Sequence, residues 1–390
     1  MNAFGLNAVQ LESAGARWTA REVLQQPQIW AEIERQIAAE AVGLAAFLNP
    51  LLHRPELRIV LTGAGTSAHI GECLAPALTR TLARRVDAIS TTDLVASPQS
   101  YLTADTPTLM VSFGRSGNSP ESMAAIGIAD EHLEQCHHLI FTCDAAGALY
   151  QHATRAPRSY VVRLPEASND RGFAMTSSFT GMLLAAALAL HGTASGAARM
   201  ASLARLGQRI LPGSEALLHS LVAQKFERVV YLGAKEFHGL AREASLKMLE
   251  LTDGKVVSVA DSPLGFRHGP KTILNGNTLV VVFVSSDPYT RQYDVDLIEE
   301  LRRDGVAGRV ITLSLQSVAA PQSDGVVLLG TGISSEVSDL ELCLPYALFA
   351  QTLALLRSLS LGVRPDTPNA AGTVSRVVKG VSIHPWRGGA

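Results

Sequence analysis

Short unbroken apolar runs recur along the chain, each stopped by Gly, Ser or Asp and followed by residues with a helical period. Arg58-Ile-Val-Leu-Thr-Gly-Ala returns as Arg228-Val-Val-Tyr-Leu-Gly-Ala, and Thr108-Leu-Met-Val-Ser-Phe as Thr278-Leu-Val-Val-Val-Phe. Ile140-Phe-Thr is matched with Val310-Ile-Thr, and all three pairs stand 170 residues apart (228 − 58, 278 − 108, 310 − 140). Strands covered on both faces read as continuous apolar runs, and alternation of such runs with helices predicts parallel sheets in an α/β fold. A constant offset of domain size points to duplication and not to a solenoid period. The pattern predicts two domains, each a parallel β-sheet flanked by helices (an αβα sandwich), over residues 51–200 and 215–363. A helical segment, 1–50, precedes them, and a tail, 364–390, follows. Pro27 to Ile37 carries a helical pattern, Arg199 to Leu221 reads as a helical connection, and Pro365, Pro368, Asn369 and Gly372 mark a loop.

Composition narrows the function classes. With 390 residues, 47% of them hydrophobic and 17% charged, the chain can bury two cores of ordinary size. A net charge of −2, with both signs scattered, leaves no footprint for nucleic acid or an anionic membrane, so a small ligand is expected. The longest strongly apolar helical stretch identified is Gly181 to Leu190, short of the roughly 20 residues a bilayer span needs. No basic-then-apolar leader opens the chain, and a cytoplasmic location is expected. Cys73, Cys136, Cys143 and Cys343 form no C-x-x-C pair and read as buried reduced thiols. The histidines show no metal-ligand spacing; His137-His138 points two rings apart on a strand and reads as a solvated strand entry. No metal site is expected.

Two loops carry the candidate chemistry. The first strand runs into Leu61-Thr-Gly-Ala-Gly-Thr-Ser-Ala-His-Ile-Gly71, and the next strand of that domain into Phe113-Gly-Arg-Ser-Gly-Asn-Ser-Pro-Glu121. In open parallel sheets ligands sit beyond the carboxyl ends of the strands, where helix N-termini offer free N–H groups to anions. Gly65, Gly114 and Gly117 allow close backbone approach, Thr66, Ser67, Ser116 and Ser119 add hydroxyls, Arg115 adds charge, and Pro120 suits a first helical turn. One such loop is equally well an ordinary helix cap; two on neighbouring strands favour a phosphate. Gly63-x-Gly65-x-x-Ala68, with Asp87 or Asp93 further on, also matches the dinucleotide fingerprint weakly. A Walker-type Gly-Lys-Ser/Thr is lacking, which argues against nucleoside triphosphate hydrolysis.

Gly-x-Gly-Thr-Ser, Ser-Gly-x-Ser-x-Glu, a Leu-Lys-x-x-Glu helix and Arg-His-Gly-Pro together resemble the sugar isomerase (SIS) domain family, and within it the isomerase half of glucosamine-6-phosphate synthase. At finer grain GRSGNSPES, DRGFAMTSS, LGFRHGPK, SSDPYTRQYD and SIHPW resemble the AgaS-type group of galactosamine-6-phosphate deaminase/isomerases, often labelled tagatose-6-phosphate aldose/ketose isomerases. The resemblance runs from about Arg58 onward and makes the duplicated domains tandem SIS domains. It implies a hexosamine 6-phosphate substrate, no cofactor, and a homodimer with shared active sites.

It also implies roles. Aldose–ketose conversion needs a proton carrier between C2 and C1, a ring-opening group, and anchors on the phosphate. Glu250, in Ala241-Arg-Glu-Ala-Ser-Leu-Lys-Met-Leu-Glu-Leu251, aligns with the family's proton-shuttling glutamate and Lys247 with its neighbouring lysine. The apolar residues around Glu250 suggest a raised pKa, although an ion pair with Lys247 is the simpler account from the residues alone. His268 aligns with the ring-opening histidine that a neighbouring subunit contributes; by itself it reads as a solvated loop residue. Gly65, Thr66, Ser67, Arg115, Ser116, Gly117 and Ser119 align with phosphate and sugar anchors. Ala174, Met175 and Thr176 align with the sugar pocket, with Met175 where the synthase has a serine. Lys379 aligns with a C-terminal lysine that touches sugar, or is a plain tail lysine. About 55 residues precede the first strand, so no glutaminase domain is expected and the chemistry implied is catabolic: D-galactosamine 6-phosphate to D-tagatose 6-phosphate and ammonia. A non-deaminating isomerase, a glucosamine-6-phosphate deaminase, a sugar-phosphate-sensing SIS regulator and an NAD-dependent enzyme are the rival readings.

Overall fold

The structure, a computed structural model, describes residues 4–191, 196–318, 324–327, 337–378 and 380–386. The chain folds as two compact units. One comprises Ile29–Asp170, Ser177–Ala197 and Gly372–Ala390; the other comprises Met1–Gln28, Arg171–Thr176 and Ala198–Ala371.

The first of these units is built on β1 (Arg58–Thr62), β2 (Val86–Ala88), β3 (Thr108–Gly114), β4 (Cys136–Thr142) and β5 (Ser159–Arg163). They form one parallel sheet in the order β2-β1-β3-β4-β5. The other unit holds β6 (Arg228–Gly233), β7 (Val257–Asp261), β8 (Thr278–Phe283), β9 (Arg309–Ser314) and β10 (Asp324–Val327), parallel and in the order β7-β6-β8-β9-β10. The two orders are the same, and so is the central register: Arg58 faces Thr108 in one sheet and Arg228 faces Thr278 in the other. Both α/β layers and the duplication follow from the apolar runs.

The third repeated pair is displaced. Ser112 is partnered by Ile140, whereas Val282, its counterpart, is partnered by Thr312 and not Val310. Strand side chains alternate with a period of two, so a slip of two residues leaves every side chain on its original face and the apolar pattern cannot register it.

Two more expectations change. Among the described residues the longest apolar helix is Asp339–Ser360, not the stretch around Gly181 to Leu190; by length and composition it could cross a membrane, but almost all of it is buried. Asp339, Gln351 and Arg357 break its apolar pattern, and each finds a partner inside: Asp339 takes bonds from Ser285 and Ser286, Gln351 from Gln26, and Arg357 donates to the Phe226 carbonyl. His138 is not solvated. The two rings do diverge, His137 toward Phe47, but His138 is 1% exposed and bonded to Asp130. All four cysteines are buried thiols outside any disulfide.

Candidate active site

In the β2-β1-β3-β4-β5 order the connections leave in opposite directions from β1 and β3, which opens a crevice beyond their carboxyl ends. Both glycine-rich loops end there, side by side, because Thr62 is paired with Ser112. After β1 the chain turns through Gly65, at φ +57°, straight into helix Thr66–Thr81. A Cβ on Gly63 would come within 2.6 Å of the Ser67 backbone, so only glycine allows so tight an entry. Thr66 and Ser67 are buried in the first helical turn, where N–H groups lack intrahelical acceptors.

The second loop is held from behind by the segment after β4. The Cys143 N–H donates to the Arg115 carbonyl at 3.1 Å, Leu149 N–H to the Gly117 carbonyl at 3.0 Å, and Ala148 N–H to Asn118 Oδ1 at 2.9 Å. Gly117 turns at φ +63°, and Ser119 caps helix Pro120–His132 by accepting from the Ser122 N–H. Arg115 is only 5% exposed, and its Nη2 donates to the Arg376 carbonyl at 3.1 Å. Arg115 thus brings a buried positive charge to the same loop that ends in the helix-capping Ser119, a composition that favours an anion. Gly65, Thr66, Ser67, Arg115, Ser116, Gly117 and Ser119 thus emerge at one edge of one sheet.

The remaining described candidates belong to the other unit. Ala174 and Thr176 are buried and Met175 partly so; the Thr176 carbonyl accepts from Gln351 at 3.5 Å, and Glu22 accepts from the Gly172 N–H upstream. Helix Glu236–Leu251 carries Lys247, which is 1% exposed and ion-paired with Glu250 and, at 3.6 Å, with Glu243. Glu250 remains 25% exposed. The apolar company expected around Glu250 is replaced by this ion pair. Lys379 lies outside the described residues.

Glu250 and His268 stand on opposite faces of the β7-β6-β8-β9-β10 sheet. Glu250's helix packs on helix Asp339–Ser360, through Ser358 bonded to the Leu251 carbonyl and the Phe237 and Tyr346 rings 5.2 Å apart. The exposed His268 follows Phe266, which packs among Val280, Val282, Leu297 and Ile298 against helix Pro288–Asp304, and Arg267 pairs with Glu300 of that helix at 2.8 Å.

Three residues near these groups were not among the candidates. Glu243 was readable, since Glu four positions before Lys is a helix pair. Arg376, which donates to the Asp170 carbonyl, and Asp170, which accepts from Ser177 and Ser178 N–H groups at 3.0 and 2.9 Å, join segments far apart in the chain with no local signal.

Known proteins locate this architecture. The SIS domain family matches residues 51–192. A D-galactosamine-6-phosphate deaminase (AgaS) from Escherichia coli is 45% identical over 386 residues, 98% of this chain and 99% of that protein. The corresponding deaminase from Shewanella sp. is 44% identical over 384 residues, 98% of this chain and 95% of that protein. The crystal structure of tagatose-6-phosphate ketose/aldose isomerase from Escherichia coli superposes with a TM-score of 0.86 at 43% identity, covering 95% of this chain and 97% of that one. Identity at this level across nearly the whole length, with the SIS match over the first sheet, establishes that the chain belongs to the SIS domain family, within its AgaS group.

Proposed function

We propose that this protein is a cytoplasmic sugar-phosphate deaminase/isomerase that converts D-galactosamine 6-phosphate and water to D-tagatose 6-phosphate and ammonia. The observation that carries the reading is the switch-point crevice, where a buried guanidinium shares the site with two hydroxyl-rich loops that each run into a helix N-terminus. That composition suits a monophosphate on a small polyol better than a pyrophosphate. The AgaS relatives supply the nitrogen-bearing substrate class.

In the proposed reaction Thr66, Ser67, Arg115, Ser116 and Ser119 hold the phosphate, with Gly65 and Gly117 giving its oxygens access to backbone N–H groups. Ala174, Met175 and Thr176 line the sugar. His268 opens the ring. Glu250 removes the C2 proton of the open-chain aminoaldehyde and returns a proton to C1, which leaves an imine at C2; water adds to it, ammonia departs, and the C2 ketone remains. Lys247, fixed between Glu243 and Glu250, holds the Glu250 carboxylate in place and can donate to the sugar oxygen on which charge develops. Lys379 is assigned to the sugar as well. Because Glu250 and His268 occupy opposite faces of one sheet, we assign the His268 that serves a given Glu250 to the second copy of a homodimer.

Incubation with galactosamine 6-phosphate and with glucosamine 6-phosphate, assaying ketose and ammonia together, tests the reading. Equal release of both products is expected from the galacto compound. Glu250→Gln should lower the rate at least about 100-fold, and mixing that variant with His268→Ala should restore part of the activity if sites are shared. Wild-type rates in Glu250→Gln would remove it from the mechanism. The solved Escherichia coli relative, described as a ketose/aldose isomerase, favours a second reading in which no nitrogen is lost; isomerisation of tagatose 6-phosphate without ammonia release from either amino sugar would establish it.

A further inference from the structure

Three elements bring metal-ligating side chains together at the edge of the first sheet opposite the phosphate loops. Cys136 and His138 alternate at the start of β4 and face helix Pro120–His132, whose last turn carries Asp130. Helix Ala148–Ala153 adds His152. His138 Nε2 lies 2.8 Å from Asp130 Oδ1 and 3.4 Å from Cys136 Sγ, and the three donor atoms lie within 4.8 Å of one another. His152 Nε2 is 3.8 Å from Asp130 Oδ2, too far for a hydrogen bond; it is shielded from solvent and has no hydrogen-bond partner. The two imidazoles stand nearly perpendicular, at 89°, with centroids 6.1 Å apart.

A tetrahedral zinc ion with its usual bond lengths separates nitrogen, oxygen and sulfur ligands by about 3.3–3.6 Å. The contacts around Asp130 and His138 bracket that spacing. His138 Nε2 faces both a thiol and a carboxylate with at most one proton to share between them, so hydrogen bonding alone leaves the cluster incompletely satisfied.

We propose that Asp130, Cys136, His138 and His152 bind one zinc-class divalent cation in a structural site. Binding transfers the Cys136 thiol proton to solvent, and two neutral imidazoles, one thiolate and one carboxylate then balance the ion's two charges. Asp130, the exposed member, is the entry point, with the Arg158 guanidinium as its other charged neighbour. The site ties a helix end, a strand start and a second helix together. Its four donors are distinct from the residues assigned to turnover, and it does not depend on the proposed reaction.

The test uses the full-length protein, stripped with chelator and titrated with Co²⁺. One equivalent per chain is expected, with a thiolate-to-cobalt charge-transfer band and tetrahedral d–d bands, and Zn²⁺ should displace it. Cys136→Ser should abolish the band and weaken binding roughly 100-fold or more, while Cys143→Ser keeps both. His152→Ala, a change at a partly exposed position, should weaken binding at least about 10-fold with the fold intact. Absence of the band in wild type, its survival in Cys136→Ser, or unaltered affinity in His152→Ala would each overturn the four-ligand site.

Discussion

The two sheets descend from one plan, yet their switch points hold opposite charges. Gly65 in the first turn (φ +57°, ψ −127°) corresponds to Lys235 in the second (φ +53°, ψ −123°), and Thr66 to Glu236. In the other loop, Thr108 to Pro120 is a step of twelve residues and Thr278 to Pro288 one of ten, so the second loop is two residues shorter. Where the first has glycine, hydroxyls and a buried arginine, the second is filled by carboxylates from its own unit. Asp339 accepts from Ser285 Oγ, from the Ser286 N–H at 2.6 Å, from Ser286 Oγ at 2.7 Å and from Lys235 Nζ at 3.0 Å. Asp294 accepts from the Ser285 N–H at 2.8 Å. A side-chain carboxylate in the second crevice thus has the partners that a bound anion is assigned in the first. On the proposed reading duplication supplied two anion cradles, and among the described residues the second is occupied by carboxylates of its own unit. Lys235 keeps a backbone conformation that favours glycine and costs about 1–3 kcal/mol, held there by its ion pair with Asp339.

The comparison is most sharply broken at Asp339. Asp339→Asn removes the nearer of the two carboxylates paired with Lys235, leaving Glu236 at 3.9 Å, and weakens two hydroxyl contacts at a buried site, at a cost of about 3 kcal/mol. The melting temperature of this unit should fall by about 5–10 °C, as read by calorimetry, with phosphate-ester affinity unaltered. A shift below a degree would mean that the carboxylate is not what holds the second crevice.

Ser119→Asp moves the second loop's chemistry into the first, since Asp287 occupies the same capping position before its own proline. Aspartate caps a helix as well as serine does, so thermal stability should hold. A carboxylate facing the substrate phosphate should cost several kcal/mol, seen as a fall of about 100-fold or more in kcat/KM, carried by KM. Unchanged KM would remove this loop from the phosphate site.

How much of this could be read from sequence follows from the range of each signal. Strands, their duplication and both first-unit loops were legible because an apolar run followed by Gly or Ser is local. The slip at Val310 was invisible because a two-residue shift preserves faces. His138 misled because burial is decided by helix Pro120–His132 folding back over β4, which no neighbour in sequence reports. The core helix Asp339–Ser360 was passed over because its polar residues are matched by partners as distant as Gln26. Asp339 itself looks like a helix-start aspartate, and its position among Ser285, Ser286 and Lys235 depends on the tertiary fold. Roles of Glu250 and His268 came from family resemblance; their placement on opposite faces needed coordinates.

The smallest effect concerns pH. Burial pushes the Asp294 carboxyl up to about 7; Asp339 adds to the rise, while the Ser285 N–H, Lys235 and Arg291 oppose it. The folded-state value therefore lies above the unfolded one, the native state binds the extra proton between them, and stability falls as pH rises through that window. The contribution is fully present below about pH 4 and lost as pH passes about 7. From pH 5 to 8 this group should cost about 2–3 kcal/mol of stability. Asn at this position can still accept from the Ser285 N–H but cannot ionise, so Asp294→Asn should flatten that part of the urea-unfolding profile and leave the mutant more stable than wild type at pH 8. No counterpart among the described residues of the first crevice shows a carboxyl raised in this way, so the flattening should be confined to the second unit's transition. A profile that keeps its slope in Asp294→Asn would show that the second crevice carries its carboxylates charged throughout, with Lys235 and the Ser285 and Ser286 donors sufficient for both.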